Sequence, residues 1–269
     1  MPTIVRDIRD ATARDLEGSD AIIHLAGLSN YPMGDIDPAL TDEINHRATV
    51  RLARLAAECG VRRFIYASTC SVYGAAGAMC TESSPCHPVT AYARAKLAAE
   101  TAILAISSPS FEPVALRFAT AYGFSGRIRM DLVVNNLTAW AVATGKVHLK
   151  SDGSAWRPLL DVGDAAAAIL AVLHAPAPAL AQRIFNVCAP DGNHRVIEVA
   201  RRVESLVPGS AVHFSGEIGP DPRDYRVDGR LFLSTFPDFH PRGTLDSGIS
   251  GLVRALVPWP VRAADFEGP

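Results

Sequence analysis

The chain has 269 residues and a mass of 28.7 kDa, with 48% hydrophobic, 20% charged and 7% aromatic residues, enough for one large domain, or a domain with a lobe, around a sizeable core. A net charge of -2 and a pI near 6.4 provide no global field to attract nucleic acid or an anionic membrane. The longest apolar run, Ala165 to Leu173, is about half of the roughly 18 residues a membrane-spanning helix needs, and the opening MPTIVRDIRD is too charged for a signal peptide. These features predict a soluble, cytoplasmic protein. Cys59, Cys70, Cys80, Cys86 and Cys188 form no CxxC pair and no zinc-ligand spacing, which predicts reduced thiols and no metal. A Cys80–Cys86 disulfide would sit within one loop of a chain without an export signal.

In chain order, β-rich runs at Thr3 to Ile8, Ala21 to Ala26, Arg63 to Ser68, Pro113 to Phe118 and Arg183 to Val187 alternate with helical stretches, the pattern of a parallel sheet covered on both faces. Asp37 reads as an N-cap with Pro38 at the first helical position. Ile44, Ala48, Leu52, Leu55 and Ala56 then recur at helical spacing up to Gly60. Further helices are predicted from Thr90 to Ile106 and from Met130 to Thr144, and the alanine run Ala165 to Ala168 marks the buried side of another. After Pro208 proline is frequent and the helices shorten, at Gly229 to Phe236 and Gly243 to Val257. The expected organisation is a core over residues 1–175, rejoined by 183–188, and a smaller lobe mainly from 189–269.

Tyr92 and Lys96 stand four apart in AYARAK, so their side chains leave one helix face about a turn apart. An ammonium beside a phenol favours the phenolate and makes a general base from tyrosine, although the same spacing also fits an exposed amphipathic face. The strand run FIYASTCSVYG, Phe64 to Gly74, ends in hydroxyl residues, at the kind of strand end where open α/β sheets bind ligands. His24, in an apolar strand, reads as an interior histidine. Trp140, Trp156 and Trp259 read as lobe packing, with Trp156 also placed to line a pocket.

The order of Ser68-Thr69, Val72-Tyr73-Gly74, Glu82, Pro85, Pro88, Tyr92 and Lys96 resembles the extended short-chain dehydrogenase/reductases that act on nucleotide sugars. Similar segments are Asp7-Ile8, which the resemblance brings to the adenine, His24 to Gly27 beneath the dinucleotide, and Asn45 on the next helix. They continue with Leu116 to Gly123, Asn135 to Leu137, Arg157, Phe185 to Val187 and Asp224 to Asp228. The resemblance implies a Rossmann-like doubly wound parallel sheet with a small C-terminal substrate lobe. It makes Tyr92 the base, Lys96 the group that holds the nicotinamide ribose and depresses the tyrosine pKa, and Thr69 the donor to the sugar oxygen. Asp7, Ile8, Leu25, Ala26, Gly27, Asn45, Ser68, Tyr92, Lys96 and Phe118 would contact NAD or NADP. Thr120, Asn135, Asn136, Leu137, Arg157 and Arg223 would contact the nucleotide sugar, and the chain would pair as a homodimer.

Two departures qualify that reading. Where dehydratases of this family place an Asp-Glu pair after the catalytic threonine, this chain has Cys70 and Ser71, which favours an epimerase over a 4,6-dehydratase. The GxxGxxG loop that cradles a dinucleotide's pyrophosphate does not occur in the 269 residues. The first strand is then expected to move beside the second, pair with another chain or hang loose, and NAD is expected to bind weakly. The rival readings are a cofactor-free descendant, acting as a non-redox isomerase, lyase or binding module, and a coding start upstream of Met1.

Overall fold

The computed structural model describes residues 3–29, 31–215 and 223–258. Its strands are β1 Ala21–His24, β2 Arg63–Thr69, β3 Met79–Cys80, β4 Glu112–Phe118, β5 Thr120–Tyr122, β6 Lys146–Leu149, β7 Trp156–Asp161, β8 Ile184–Val187, β9 Asn193–Arg195, β10 Ala211–Phe214 and β11 Arg226–Val227. Its α-helices are α1 Ala13–Leu16, α2 Tyr31–Ile36, α3 Pro38–Asp42, α4 Thr49–Glu58, α5 Ala91–Ala105, α6 Val133–Thr144, α7 Val162–His174, α8 Val196–Leu206, α9 Arg230–Thr235 and α10 Leu245–Leu256.

Four strands form the main sheet in the order β1-β2-β4-β8, all parallel. Parallel strands are buried on both faces, so their residues alternate between two cores. Phe64 and Tyr66 of β2 pack with Ala53 and Ala56 of α4 and Ala99 and Ile103 of α5. Ile65, between them, packs with Val114 and Leu116 of β4 and with Ala168 and Val172 of α7. In register, Ile65 faces Val114 and Tyr66 faces Ala115, which keeps each cross-strand pair within one core.

The expected strand from Thr3 to Ile8 does not form. Among the described residues β1 pairs only with β2, and the segment turns instead into a 3-10 helix, Ile8–Asp10. Arg51 of α4 donates to the carbonyls of Ile8, Arg9 and Ala11, so a side chain satisfies backbone acceptors at the end of this segment and in the turn after it. Similarly, β1 ends at His24, two residues short of the expected Ala26. The predicted helix after Asp37 is present, with the Asp37 carboxylate accepting from Leu40 N at 2.9 Å and Pro38 in the first turn. It is interrupted by a π-helical stretch, Glu43–Ala48, a distortion common at functional sites.

The second apolar cluster joins α8 and α10 to α6, β6 and Leu159 of β7. This cluster therefore draws on the middle of the chain as well as on residues after 189, because the apolar faces of α6 and β6 lie outside the main sheet's two cores. Trp140 is buried there, edge-on to His148 at 4.8 Å; Trp259 lies outside the described residues. All five cysteines are unpaired. Among the described residues no helix is long and apolar enough to cross a membrane, and no group of three or more His, Cys, Asp or Glu side chains is placed to hold a metal ion.

Candidate active site

Thr69 closes β2 opposite Phe118, the last residue of β4, and Phe118 pairs in turn with Val187 at the end of β8. The carboxyl ends of three parallel strands thus meet at one edge of the sheet, where ligands of open α/β folds bind. Tyr92 reaches this edge because the first turn of α5 is fixed from two sides. Thr90 caps the helix, accepting from Ala93 N at 3.1 Å, and Asp35 of α2 accepts from Ala91 N at 3.0 Å. Both bonds satisfy backbone donors that a helix start leaves orphaned. Gly74, at φ +69, lets the following loop close over this edge; a Cβ there would lie 2.0 Å from the His87 carbonyl oxygen. Glu82 ties the same loop to β8, accepting from Asn186 N at 2.8 Å.

Tyr92 is half-buried, while Lys96 is 5% exposed, which excludes the reading of the pair as an exposed amphipathic face. The Lys96 ammonium donates to the Ala67 carbonyl at 2.9 Å and lies 4.8 Å from the Tyr66 ring centre and 5.9 Å from that of Tyr92. No carboxylate pairs with it among the described residues, and burial lowers its pKa to about 8. The expectation that Lys96 depresses the Tyr92 pKa is not met. Burial raises the phenol above its ordinary value, and the groups that pull it back are the Thr69 hydroxyl, by a hydrogen bond, and the charge of Arg129. His24 is buried, its Nε2 2.9 Å from the Thr49 hydroxyl. Burial, then the Lys96 charge, lowers its pKa to about 4, so it is a neutral interior residue.

On the side assigned to the cofactor, the turn after β1 is clasped by Asn45 of the π-helical stretch, which accepts from Leu28 N at 2.7 Å and donates to Leu28 O at 2.8 Å. The turn passes so close that a Cβ on Gly27 would meet Asn45 Oδ1 at 2.8 Å and Lys96 Nζ at 3.7 Å. Leu25 is 61% exposed beside this turn. Asp7 is exposed and held by Arg9, whose hydrogen bonds lower its pKa to about 2. Ser68 does not take the expected place in the site, because its hydroxyl donates at 2.6 Å to Glu100 in the core. The glycine-narrowed turn and the unneutralised Lys96 beside Tyr92 fit the nicotinamide-ribose half of a dinucleotide, whereas the 269 residues contain no glycine-rich loop for the pyrophosphate.

On the substrate side, Arg157 of β7 and Arg223 lie together near the buried Tyr225, whose hydroxyl shares a 3.2 Å hydrogen bond with Ser71, two residues beyond Thr69. Arg157 Nη1 donates to the carbonyls of Trp156 and Arg223. Trp156 is flanked by the guanidinium groups of Arg195 and Arg226, 5.2 and 5.1 Å from its ring centre. Thr120 is half-buried in β5, next to this group of strands. The Asn135 to Leu137 segment is occupied differently from the expectation of direct contacts. Asn135 accepts from Gly123 N and donates to Arg129 O, both at 3.0 Å; Asn136 donates to Met130 O at 2.8 Å; and Leu137 is buried in the second core. These side chains fasten the loop before α6. Arg129, on that loop, was not singled out in the sequence, where only its position in the basic run before the paired asparagines marks it.

The parallel main sheet, with these residues gathered at its strand ends, is a Rossmann-type fold. The chain belongs to the NAD dependent epimerase/dehydratase family, whose model matches residues 4–188. It is 29% identical over 219 residues to a Bacillus subtilis (strain 168) protein named "Uncharacterized UDP-glucose epimerase YtcB", covering 79% of this chain and 67% of that protein. It is 27% identical over 262 residues to a UDP-glucose 4-epimerase of Erwinia amylovora, covering 89% and 75%. The structure of MoeE5 in complex with UDP-glucuronic acid and NAD superposes with a TM-score of 0.81 at 25% identity, over 93% of this chain and 84% of that one.

Proposed function

We propose that the chain is an NAD-dependent epimerase of a nucleoside-diphosphate sugar. The observation that carries this reading is the convergence of Thr69, Tyr92 and the unpaired, buried Lys96 at one strand end, followed by Cys70 and Ser71, which provide no second acid-base pair for eliminating water. NAD, when bound, supplies the acceptor that takes a hydride from the sugar carbon and returns it. Tyr92 takes the proton of the reacting hydroxyl and gives it back after the sugar has turned over, and Thr69 holds the same oxygen. Lys96, with the Leu25-Ala26-Gly27 turn, Asn45 and Phe118, would hold the nicotinamide riboside, and the Asp7-Ile8 turn would meet the adenine end. Arg157 and Arg223, with Thr120 and the backbone at Asn135 to Leu137, would receive the nucleoside diphosphate.

The test is to incubate the purified chain with NAD and either UDP-glucose or UDP-glucuronic acid and follow the sugar by NMR. Inversion at one ring carbon is expected. Formation of a dehydrated sugar, or no change with NAD demonstrably bound, overturns the reading.

One observation favours a second reading, a cofactor-free isomerase, lyase or binding module: the 269 residues contain no glycine-rich loop, and backbone donors of such a loop are what hold a pyrophosphate. The purified chain is then expected to bind NAD weakly while still binding nucleoside diphosphates. Micromolar NAD affinity in a titration would exclude this alternative.

A further inference from the structure

Thr69 has a second role at the end of β2. It caps the short 3-10 helix Cys70–Tyr73, its Oγ1 accepting from Ser71 N at 3.1 Å. A hydroxyl accepts through its lone pairs and has one proton to give, so a Thr69 oxygen that accepts from Ser71 keeps its own proton for a different acceptor. Ser71 is held in turn from far along the chain: its Oγ shares a 3.2 Å hydrogen bond with the Tyr225 hydroxyl across 154 residues of sequence. Tyr225 is buried in the same apolar cluster as Cys70, Val72 and Tyr73, and the bond to Ser71 is the one its hydroxyl makes among the described residues.

The segment that carries Tyr225 is itself anchored on both sides. The preceding residue, Asp224, accepts from Trp156 N through its carboxylate at 2.9 Å and from Ala76 N through its carbonyl at 2.8 Å. Arg226 and Val227 pair as β11 with β3, and Asp228 N donates to the Cys80 carbonyl at 2.8 Å. The phenol is therefore a fixed point, and it bears on Ser71, whose amide bears on the Thr69 hydroxyl. We propose that Tyr225 is a positioning residue for Thr69: through Ser71 it holds the Thr69 side chain in the one rotamer that keeps its oxygen on the Ser71 amide and turns its proton to the sugar oxygen. The proposal rests on the reading of Thr69 as the group that holds the reacting oxygen, and adds what orients it, a contribution that matters because small misplacements of a positioned group are costly.

The experiment reads the Thr69 side chain directly. In protein with isotope-labelled threonine methyl groups, three-bond couplings measure the Thr69 χ1 angle in wild type, Tyr225→Phe, Ser71→Ala and the double variant, with Thr69→Ala to assign the signal. Wild type is expected to hold one rotamer and each single variant to average over several, the double variant no more than either alone because both act on one path. Turnover with NAD and a nucleotide sugar should fall roughly two- to tenfold in each single variant, the worth of one neutral hydrogen bond. The loss should lie in kcat, with KM and UDP affinity unchanged, and Tyr225→Phe should cause no further loss in a Thr69→Ala background. Averaging already present in wild type, one unchanged rotamer in either folded variant, or a Tyr225→Phe effect on turnover that persists without the Thr69 hydroxyl overturns the proposal. Ser71→Ala carries the test alone should Tyr225→Phe fail to fold. Averaged rotamers in the variants of a protein that shows no turnover with NAD and nucleotide sugars would uphold the positioning role and overturn the epimerase reading.

Discussion

Replacing Lys96 by methionine should make the protein more stable while removing its function. Lys96 is 5% exposed, pairs with no carboxylate among the described residues, and titrates near 8 in place of the usual 10.5 because burial disfavours its charge. Between those two values the unfolded chain holds a proton that the folded chain releases, so wild-type stability rises with pH through this window. The depression corresponds to about 3 kcal/mol of penalty at pH 7, falling to about 1 kcal/mol by pH 10. Against this gain, Lys96→Met gives up the bond to the Ala67 carbonyl, worth about 1 kcal/mol. A net stabilisation of about 2 kcal/mol at neutral pH is expected, or roughly 4 to 8 °C in Tm for a chain of this size. Urea denaturation of both proteins from pH 7 to 10 measures it, because titrations common to the two cancel in the difference. A variant less stable than wild type at pH 7, or a difference independent of pH, would refute the reasoning and mean that the ammonium is solvated or paired in solution.

Three further outcomes are expected. Tyr92→Phe should lower the turnover of the proposed epimerisation by roughly 10² to 10⁴, the usual contribution of a general acid-base group, with an unchanged melting temperature; full activity in steady-state assays would remove Tyr92 from the proposed mechanism. Glu100→Ala should cost about 3 to 5 kcal/mol in urea denaturation, because it leaves the buried guanidinium of Arg117, paired at 2.5 Å, without its counter-charge; a loss below about 1 kcal/mol would show that water reaches Arg117. Arg157→Ala should weaken UDP binding in calorimetry by about 1.5 to 3 kcal/mol, the value of a charged hydrogen bond; an unchanged Kd would confine Arg157 to its backbone contacts with Trp156 and Arg223.

The sheet was legible where local chemistry and tertiary need agree. β2 and β4 are runs whose residues are buried on both faces, and the Asp37-Pro38 start and the Thr90 cap act through bonds to residues three away. Thr3 to Ile8 misled because β-propensity describes a fit to a neighbouring strand; among the described residues no strand pairs with it, and Arg51 from a distant helix holds its end at Ile8 and the turn that follows. The site was legible as a set of residues and less so as a set of roles. Ser68 and Leu137 fall within the right segments but face the core, since a motif read by order does not reveal on which side of an element a side chain emerges. Arg129 carried almost no local signal, because its partners at Ser29 lie 100 residues away.

The electrostatics of α5 explain why Lys96 can remain unpaired. Lys96 and Glu100 are four residues apart on one buried face of the helix, a spacing at which they would ordinarily attract one another. Arg117 of β4 prevents this by taking the Glu100 carboxylate through Nε and Nη2, and Ser68 donates to the same group. Arg117 is held in turn by Tyr73, whose hydroxyl donates to Asn186. One turn of helix thus separates a neutralised pair, satisfied within the sheet, from an ammonium whose only bonded acceptor among the described residues is the Ala67 carbonyl. Had Glu100 paired with Lys96, its charge would have been cancelled at the strand end where a ribose and a tyrosine oxygen are proposed to meet. The core ion pair therefore does more than contribute its modest net stability: it sequesters the carboxylate nearest in sequence and leaves the lysine without a counter-charge among the described residues, as the proposed ribose contact requires.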